Sequence, residues 1–258
     1  MSQDRLQAIL ASPSYRLAED DGEFLESDDA RAVRLALEFH RADAYLRAYG
    51  IESTVVVFGS ARVPAPESVD DDHPLALWYE EARRFAHDLS AGASHRPGCH
   101  RLAVATGGGP GIMEAANRGA SEAGAPTIGL NIRLPHEQLP NAWITPGLAF
   151  RFHYFALRKM HFLLRARALV AFPGGFGTLD EVYEALNLVA TRSIDPMPIV
   201  LVGRDYWSRM LDLGHLVAQR LIGPAEAALV QQFDSGAEAA AYLLAHCGCD
   251  LPGDLRTR

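Results

Sequence analysis

Two glycine-rich runs and one carboxylate have the types and spacing to do chemistry together. Gly107-Gly-Gly-Pro-Gly111 and Pro173-Gly-Gly-Phe-Gly-Thr178 each follow an apolar run and precede a helical pattern, and Glu181 stands three residues beyond the second. Glycine lets the backbone take positive φ and approach a ligand closely. A helix start after it aims unpaired N–H groups at an anion, which suits phosphate. Gly59-Ser-Ala-Arg62 has the same setting after another apolar run. Arg158 and Lys159 form an adjacent cation pair, and Lys159 is the sole lysine among the 24 Lys and Arg residues. In a chain that writes its cations as arginine, this exception marks a compact ammonium beside a planar guanidinium, a reasonable anion-binding element.

A dinucleotide is the first ligand to test. The G-x-G-x-x-G fingerprint would put its last glycine at Ile112, and Asn131 stands where an acidic ribose ligand is wanted. There is no G-x-x-x-x-G-K-[ST] either, so a mononucleotide fits better than NAD or P-loop ATP hydrolysis. Structural alternatives stand beside each residue. Thr178 and Glu181 have the spacing of a capping box, Met113 could fill a core gap, and Asp180 suits the first turn of a helix by its charge alone. Arg158 and Lys159 could be a solvated face, although His153, Phe155, Phe162 and Leu163 nearby point to a partly buried helix.

The elements that position these residues read as strands at Thr54–Phe58, Leu102–Ala105, Thr127–Ile132, Ala168–Phe172 and Pro198–Val202. Helices are expected near 75–91, 111–123, 151–166, 179–191, 205–220 and 236–246, the last with Ser235 and Glu238 as a capping box. The strands are continuous apolar runs, as in a parallel sheet buried on both faces. The expected fold is therefore α/β, a single-domain doubly wound, Rossmann-like parallel sheet with an extra N-terminal helical segment, whose ligands bind at the strands' carboxyl ends. Residues 1–53 are assigned to that segment: acidic and irregular over 1–26, then a helix capped by Ser27 and stopped by Gly50. Its apolar face at Leu35, Phe39, Ala42, Leu46 and Tyr49 must pack on the body or on another subunit. Residues 54–258 are assigned to a Rossmann-like nucleotide-binding domain, expected to be the catalytic one, with an exposed insertion expected at 63–74.

The 258 residues carry 24 basic and 32 acidic side chains, a net charge of −8. That balance argues against a nucleic-acid or anionic-membrane binder. No apolar run is long enough to span a bilayer and no signal peptide is evident, so the expected location is cytoplasmic. Cys99, Cys247 and Cys249 fit a reducing compartment. Neither His246 with Cys247 and Cys249 nor His95 with Cys99 and His100 completes a metal set, so no metal and no cofactor are expected.

Pro173-Gly-Gly-Phe-Gly-Thr-Leu-Asp-Glu181 resembles the P-G-G-x-G-T-x-x-E signature of the LOG (Lonely Guy) family, often mislabelled as lysine decarboxylases. Gly107-Gly-Gly-Pro-Gly-Ile-Met-Glu-Ala-Ala116 and Arg158-Lys159 are similar to its other two elements. The resemblance runs from about Thr54 to Val202; the N-terminal helix and Leu134-Pro-His-Glu-Gln138 are similar to the longer bacterial subgroup. It implies a cytokinin riboside 5′-monophosphate phosphoribohydrolase: hydrolysis of the N-glycosidic bond of an adenine-type nucleoside 5′-monophosphate to free base and ribose 5-phosphate. It further implies Arg158 and Glu181 as the catalytic pair and Gly174, Gly175, Gly177 and Thr178 around the phosphate. Gly108, Gly109, Met113 and Lys159 would lie along the nucleotide, and the protein would be a homo-oligomer, a dimer or higher.

The chemistry is coherent on its own terms. Such cleavage passes through an oxocarbenium-like ribose that a carboxylate stabilises. Arginine stays protonated at neutral pH, so Arg158 is expected to fix Glu181 and polarise the nucleotide. The alternative is a non-hydrolytic nucleotide sensor or carrier, which would not need that carboxylate. A pyridoxal-dependent decarboxylase would have only Lys159 for its Schiff base.

Overall fold

The computed structural model describes residues 2–68, 75–95, 102–134 and 139–246. Helices α1 (Ser2–Leu10), α2 (Gly22–Glu26) and α3 (Arg31–Ala48) precede β1 (Ser53–Phe58). Then come α4 (Ala76–Ser94), β2 (Leu102–Thr106), α5 (Ile112–Glu122), β3 (Thr127–Ile132), β4 (Ala149–Phe152), α6 (Phe155–Leu163) and β5 (Ala166–Ala171). The remainder is α7 (Phe176–Ala190), β6 (Ile199–Val202), α8 (Arg204–Met210), α9 (Leu213–Ala218), α10 (Pro224–Ala227), β7 (Val230–Phe233) and α11 (Gly236–His246).

Among the described residues the seven strands form one sheet in the order β4-β3-β2-β1-β5-β6-β7. Every pairing is parallel, so the fold is the expected Rossmann-like α/β sheet. Side chains alternate faces along a strand. Val56 and Phe58 of β1 join a core with Phe162, Val182 and Trp207, while Val55 and Val57 join another with Phe85, Ala115 and Leu243. Burial on both faces is why β1 reads as an unbroken apolar run. The chain builds outward from β1 to β4, then returns to lay β5 on β1's other side, so strand order reverses between β1 and β5.

Several expected boundaries move. Strands β4 and β7 went unread, and both are sheet edges. Residues 149–152 alternate buried Phe150 and Phe152 with exposed Ala149 and Arg151, and β7 carries Gln231 and Gln232 at its centre. Neither is a continuous apolar run. Consequently the helix expected over 151–166 begins only at Phe155. The helix expected over 205–220 is two: Leu211 takes extended backbone, and the Asp212 carboxylate accepts from His215 N–H at 2.8 Å to start α9.

Residues 1–26 are not irregular, since they hold α1 and α2. Ser27 ends α2 instead of capping α3, its hydroxyl donating to the Phe24 carbonyl at 2.6 Å. Helix α3 starts at Arg31 after Ala30, with no capping side chain. Its inner face lies on the body of the same chain. Glu38 accepts from the N–H groups of His153 and Tyr154 at 2.6 and 3.2 Å, Asp43 pairs with Arg165, and Phe39 stacks on buried His161 of α6. The N-terminal segment therefore braces the helix that carries Arg158 and Lys159.

The 63–74 stretch is not wholly exposed: Val63 is buried and Glu67 pairs with Arg118 at 2.6 Å. Asp70 to Asp72, Cys99, His100, Cys247, Cys249 and residues 135–138 lie outside the described residues. The Ser235–Glu238 capping box is present, with Glu238 N–H donating to Ser235 Oγ at 3.2 Å and Ser235 N–H to the Glu238 carboxylate at 3.3 Å.

Candidate functional site

Three loops meet where strand order reverses, at the carboxyl ends of β1, β2 and β5. Ser60 after β1 ties them together: its N–H donates to the Pro173 carbonyl at 3.0 Å, and its own carbonyl accepts from Ile112 N–H at 3.1 Å. Gly111, which precedes α5, has φ +71° and lies so close to Ser60 and Ala61 that a Cβ would meet their backbone. Both α5 and α7 begin at a glycine N-cap, Gly111 and Gly175, with no capping side chain on their first amides. The first amides of α7 are thus available for an anionic group, whereas the first amide of α5, Ile112 N–H, is taken by Ser60.

Buried polar side chains hold the β2 loop. Asn117 of α5 accepts from Thr106 Oγ1 at 2.7 Å and donates to Thr127 Oγ1 at 2.9 Å and the Ile128 carbonyl at 3.3 Å. Gly108 N–H donates to Thr106 Oγ1 at 3.0 Å. The Gly108 carbonyl accepts from Asn141 N–H at 2.9 Å and Asn131 Nδ2 at 3.2 Å, and the Gly109 carbonyl from Asn141 Nδ2 at 3.0 Å. With both carbonyls turned toward the asparagines, the trans peptide turns Gly109 N–H the opposite way. On the β5 loop, Tyr206 of α8 donates its hydroxyl to the Gly174 carbonyl, and a Cβ on Gly174 would collide with the Thr178 side chain.

Arg158 and Met113 converge on Gly107, where an added Cβ would meet Arg158 Nη2 and Met113 Sδ. Arg158 Nε donates to the Leu130 carbonyl at 2.6 Å, and its guanidinium lies 5.1 Å from the Phe162 ring centre. Burial pushes its pKa below the ordinary value, with Glu181 pulling the other way through space. No ion pair joins Arg158 to Glu181 among the described residues: the guanidinium is anchored on Leu130 and acts on Glu181 through space, so it does not fix the carboxylate by direct contact. This corrects the expected contact.

Glu181 is 8% exposed. The capping-box reading fails, because α7 starts at Phe176, before Thr178, and places Thr178 inside the helix as a buried residue. Burial pushes the Glu181 carboxyl up to about 7, with Glu184 and Asp180 adding to the rise and Lys159 and Arg158 opposing it. Lys159 Nζ lies 2.8 Å from Asp180 Oδ2 and 2.9 Å from Glu184 Oε2. Burial disfavours its charge, but hydrogen bonds to both carboxylates outweigh that and raise its pKa.

The expected residues thus sit in one region: Gly108, Gly109 and Met113 around the β2 loop and α5, Gly174, Gly175, Gly177 and Thr178 at the start of α7, and Arg158, Lys159 and Glu181 on the facing helices. Asn117, Asn131, Asn141 and Tyr206 were not assigned from sequence; Asn131 was seen only as the absence of an acid. Among the described residues no three His, Cys, Asp or Glu side chains gather as a metal site. No helix among them is long and apolar enough to cross a membrane.

The model of a protein family described as possible lysine decarboxylase matches residues 113–243. Among solved structures, that of the structural-genomics target TM1055 is 22% identical with a TM-score of 0.52, covering 74% of this chain and 98% of that one. The molybdenum cofactor binding protein from the phototrophic bacterium Rippkaea orientalis is 20% identical with a TM-score of 0.49, covering 75% and 96%. The molybdenum cofactor carrier protein from Chlamydomonas reinhardtii is 22% identical with a TM-score of 0.48, covering 74% and 96%. No curated protein matches the chain.

Proposed function

The chain belongs to the LOG family, whose model is described as possible lysine decarboxylase, and from that membership and its site we propose that it hydrolyses the N-glycosidic bond of an adenine-type nucleoside 5′-monophosphate, including N6-modified (cytokinin) forms. The observation that carries the reading is Glu181: a buried carboxyl with a pKa near 7, one helical turn inside a glycine-started helix and facing an arginine. A carboxylate so poised suits general-base work at neutral pH.

In this reading the phosphate is held by the first amides of α7, at Phe176 and Gly177, with Thr178 close by. Binding at that non-reacting end orients the ribose. Ionised Glu181 stabilises positive charge developing on the ribose and takes a proton from the water that adds to C1′. The glycosidic C–N bond breaks with its electron pair going to the base nitrogen, and the proton taken by Glu181 is returned to that nitrogen, so that water is added across the bond. Arg158, anchored on Leu130, presents its guanidinium to the nucleotide and stays charged throughout. Met113 packs along the ligand beside Gly107 and Gly108.

Lysine decarboxylase chemistry would imply pyridoxal phosphate, and the residues do not fit it. A Schiff base needs an accessible neutral amine, whereas the sole lysine, Lys159, is held by two carboxylates that keep it protonated. A homo-oligomer is part of the proposal. Phe155, Met160, Phe176 and Tyr183 on α6 and α7 are exposed apolar side chains, and a monomeric mass by light scattering would refute association.

The test is base release followed by chromatography on AMP, N6-isopentenyl-AMP, GMP and CMP, with Glu181→Gln as control. Release by the wild type, abolished in the folded variant, supports the hydrolase. Binding without release from any of the four would favour a nucleotide sensor or carrier.

A further inference from the structure

Lys159 reaches from α6 to α7 and meets two carboxylates placed immediately before and three residues after Glu181. Its ammonium lies 2.8 Å from Asp180 and 2.9 Å from Glu184. Residues three apart on a helix are surface neighbours, so the Lys159 charge ends beside the Glu181 carboxyl. Only 18% of the Lys159 side chain is exposed. Two of its three N–H donors are engaged by these carboxylates.

The charged groups that face Glu181 are Arg158 and Lys159 from α6, and Asp180 and Glu184 from its own helix. Arg158 is committed to Leu130. Lys159 is therefore the second positive charge, and Asp180 and Glu184 hold it in place. We propose that Lys159 is a positioning residue acting through Glu181: it clamps α6 to α7 through Asp180 and Glu184, fixing the charge that faces the reacting carboxylate. This rests on the reading of Glu181 as the reacting group.

The test follows Glu181 directly. Protein labelled with ¹³C at glutamate carboxyls is titrated by NMR, with Glu181→Gln identifying the resonance. Removing the ammonium leaves three acidic groups facing Arg158 alone, so Lys159→Met should move the Glu181 midpoint up by about one pH unit. Lys159→Arg keeps the charge and should restore it, and Glu184→Gln removes a repelling carboxylate and should move it down.

An unmoved midpoint in Lys159→Met overturns the proposal. Should that variant fail to fold, Lys159→Gln carries the test: an unmoved midpoint there then overturns it. If the wild type releases no base from any nucleotide, the hydrolase reading fails on its own, and the titration still decides the clamp.

Discussion

Asn141 donates one amide hydrogen to Asn117 Oδ1 at 2.9 Å and the other to the Gly109 carbonyl at 3.0 Å. This pair links the buried face of α5 to the glycine loop above it. Asn117 then has both amide hydrogens donated and two hydrogen bonds accepted, all that its amide needs when buried.

Asn117→Ala leaves Thr106, Thr127 and the Ile128 carbonyl without that partner in the buried core, and Asn141 without it nearer the surface. Each orphaned group costs about 1–3 kcal/mol, so a loss of at least about 3 kcal/mol is expected in urea unfolding. Asn141→Ala lies nearer the surface and should lose less stability than Asn117→Ala. Its larger effect should fall on kcat/KM, because the Gly109 carbonyl is released.

Tyr206→Phe removes the hydroxyl that holds the Gly174 carbonyl while keeping the ring against Trp207. The loop before α7 should loosen, weakening AMP binding by about three- to tenfold for one hydrogen bond. Calorimetry checks this, and an unchanged Kd would exclude Tyr206 from shaping the phosphate loop.

The raised Glu181 pKa has a definite sign in stability. The folded protein holds this proton up to about pH 7, whereas an unfolded carboxyl loses it near 4.5. Stability from the group is thus full below 4.5 and declines as pH rises to about 7. Glu181→Gln, which never ionises, should match the wild type near pH 4.5 and exceed it at pH 8. The gain is at most about 3 kcal/mol, read from denaturant midpoints at the two pH values.

The same proton governs rate. If ionised Glu181 is the base, kcat/KM should climb tenfold per pH unit below about 7 and level off above it. Glu181→Gln should lose this limb together with the activity. Arg158→Lys keeps a charge but cannot reproduce a guanidinium anchored through Nε on Leu130, so kcat should fall by about 10²-fold.

What could be read in the sequence was whatever depended on local pattern. Strands β1, β2, β3, β5 and β6 are buried on both faces, so their apolar runs were visible, as were the glycines at their ends. Strands β4 and β7 failed that template because an edge strand need cover only part of itself. The Thr178–Glu181 spacing was ambiguous for a different reason: the helix could start at either end of the glycine run, and only the position of Gly175 decides. Asn117 was unreadable. Its partners come from β2, β3 and the segment after β3, and a single asparagine in a helix gives no sign that its neighbours will be buried.

The central position of β1 also bears on how the protein is made. Val55 pairs with Ala168, about 110 residues further along the chain. At about 5–20 residues per second a ribosome releases β5 roughly 5–20 s after β1, and until then the nascent sheet carries Val55–Phe58 of β1 as an unpaired apolar edge. Pro173, the partner of Ser60, has not yet been made either. A chain truncated before Ala166 would therefore be expected to aggregate or recruit chaperones, and not to bind nucleotide weakly: the crevice does not exist until the second half of the sheet docks on the first.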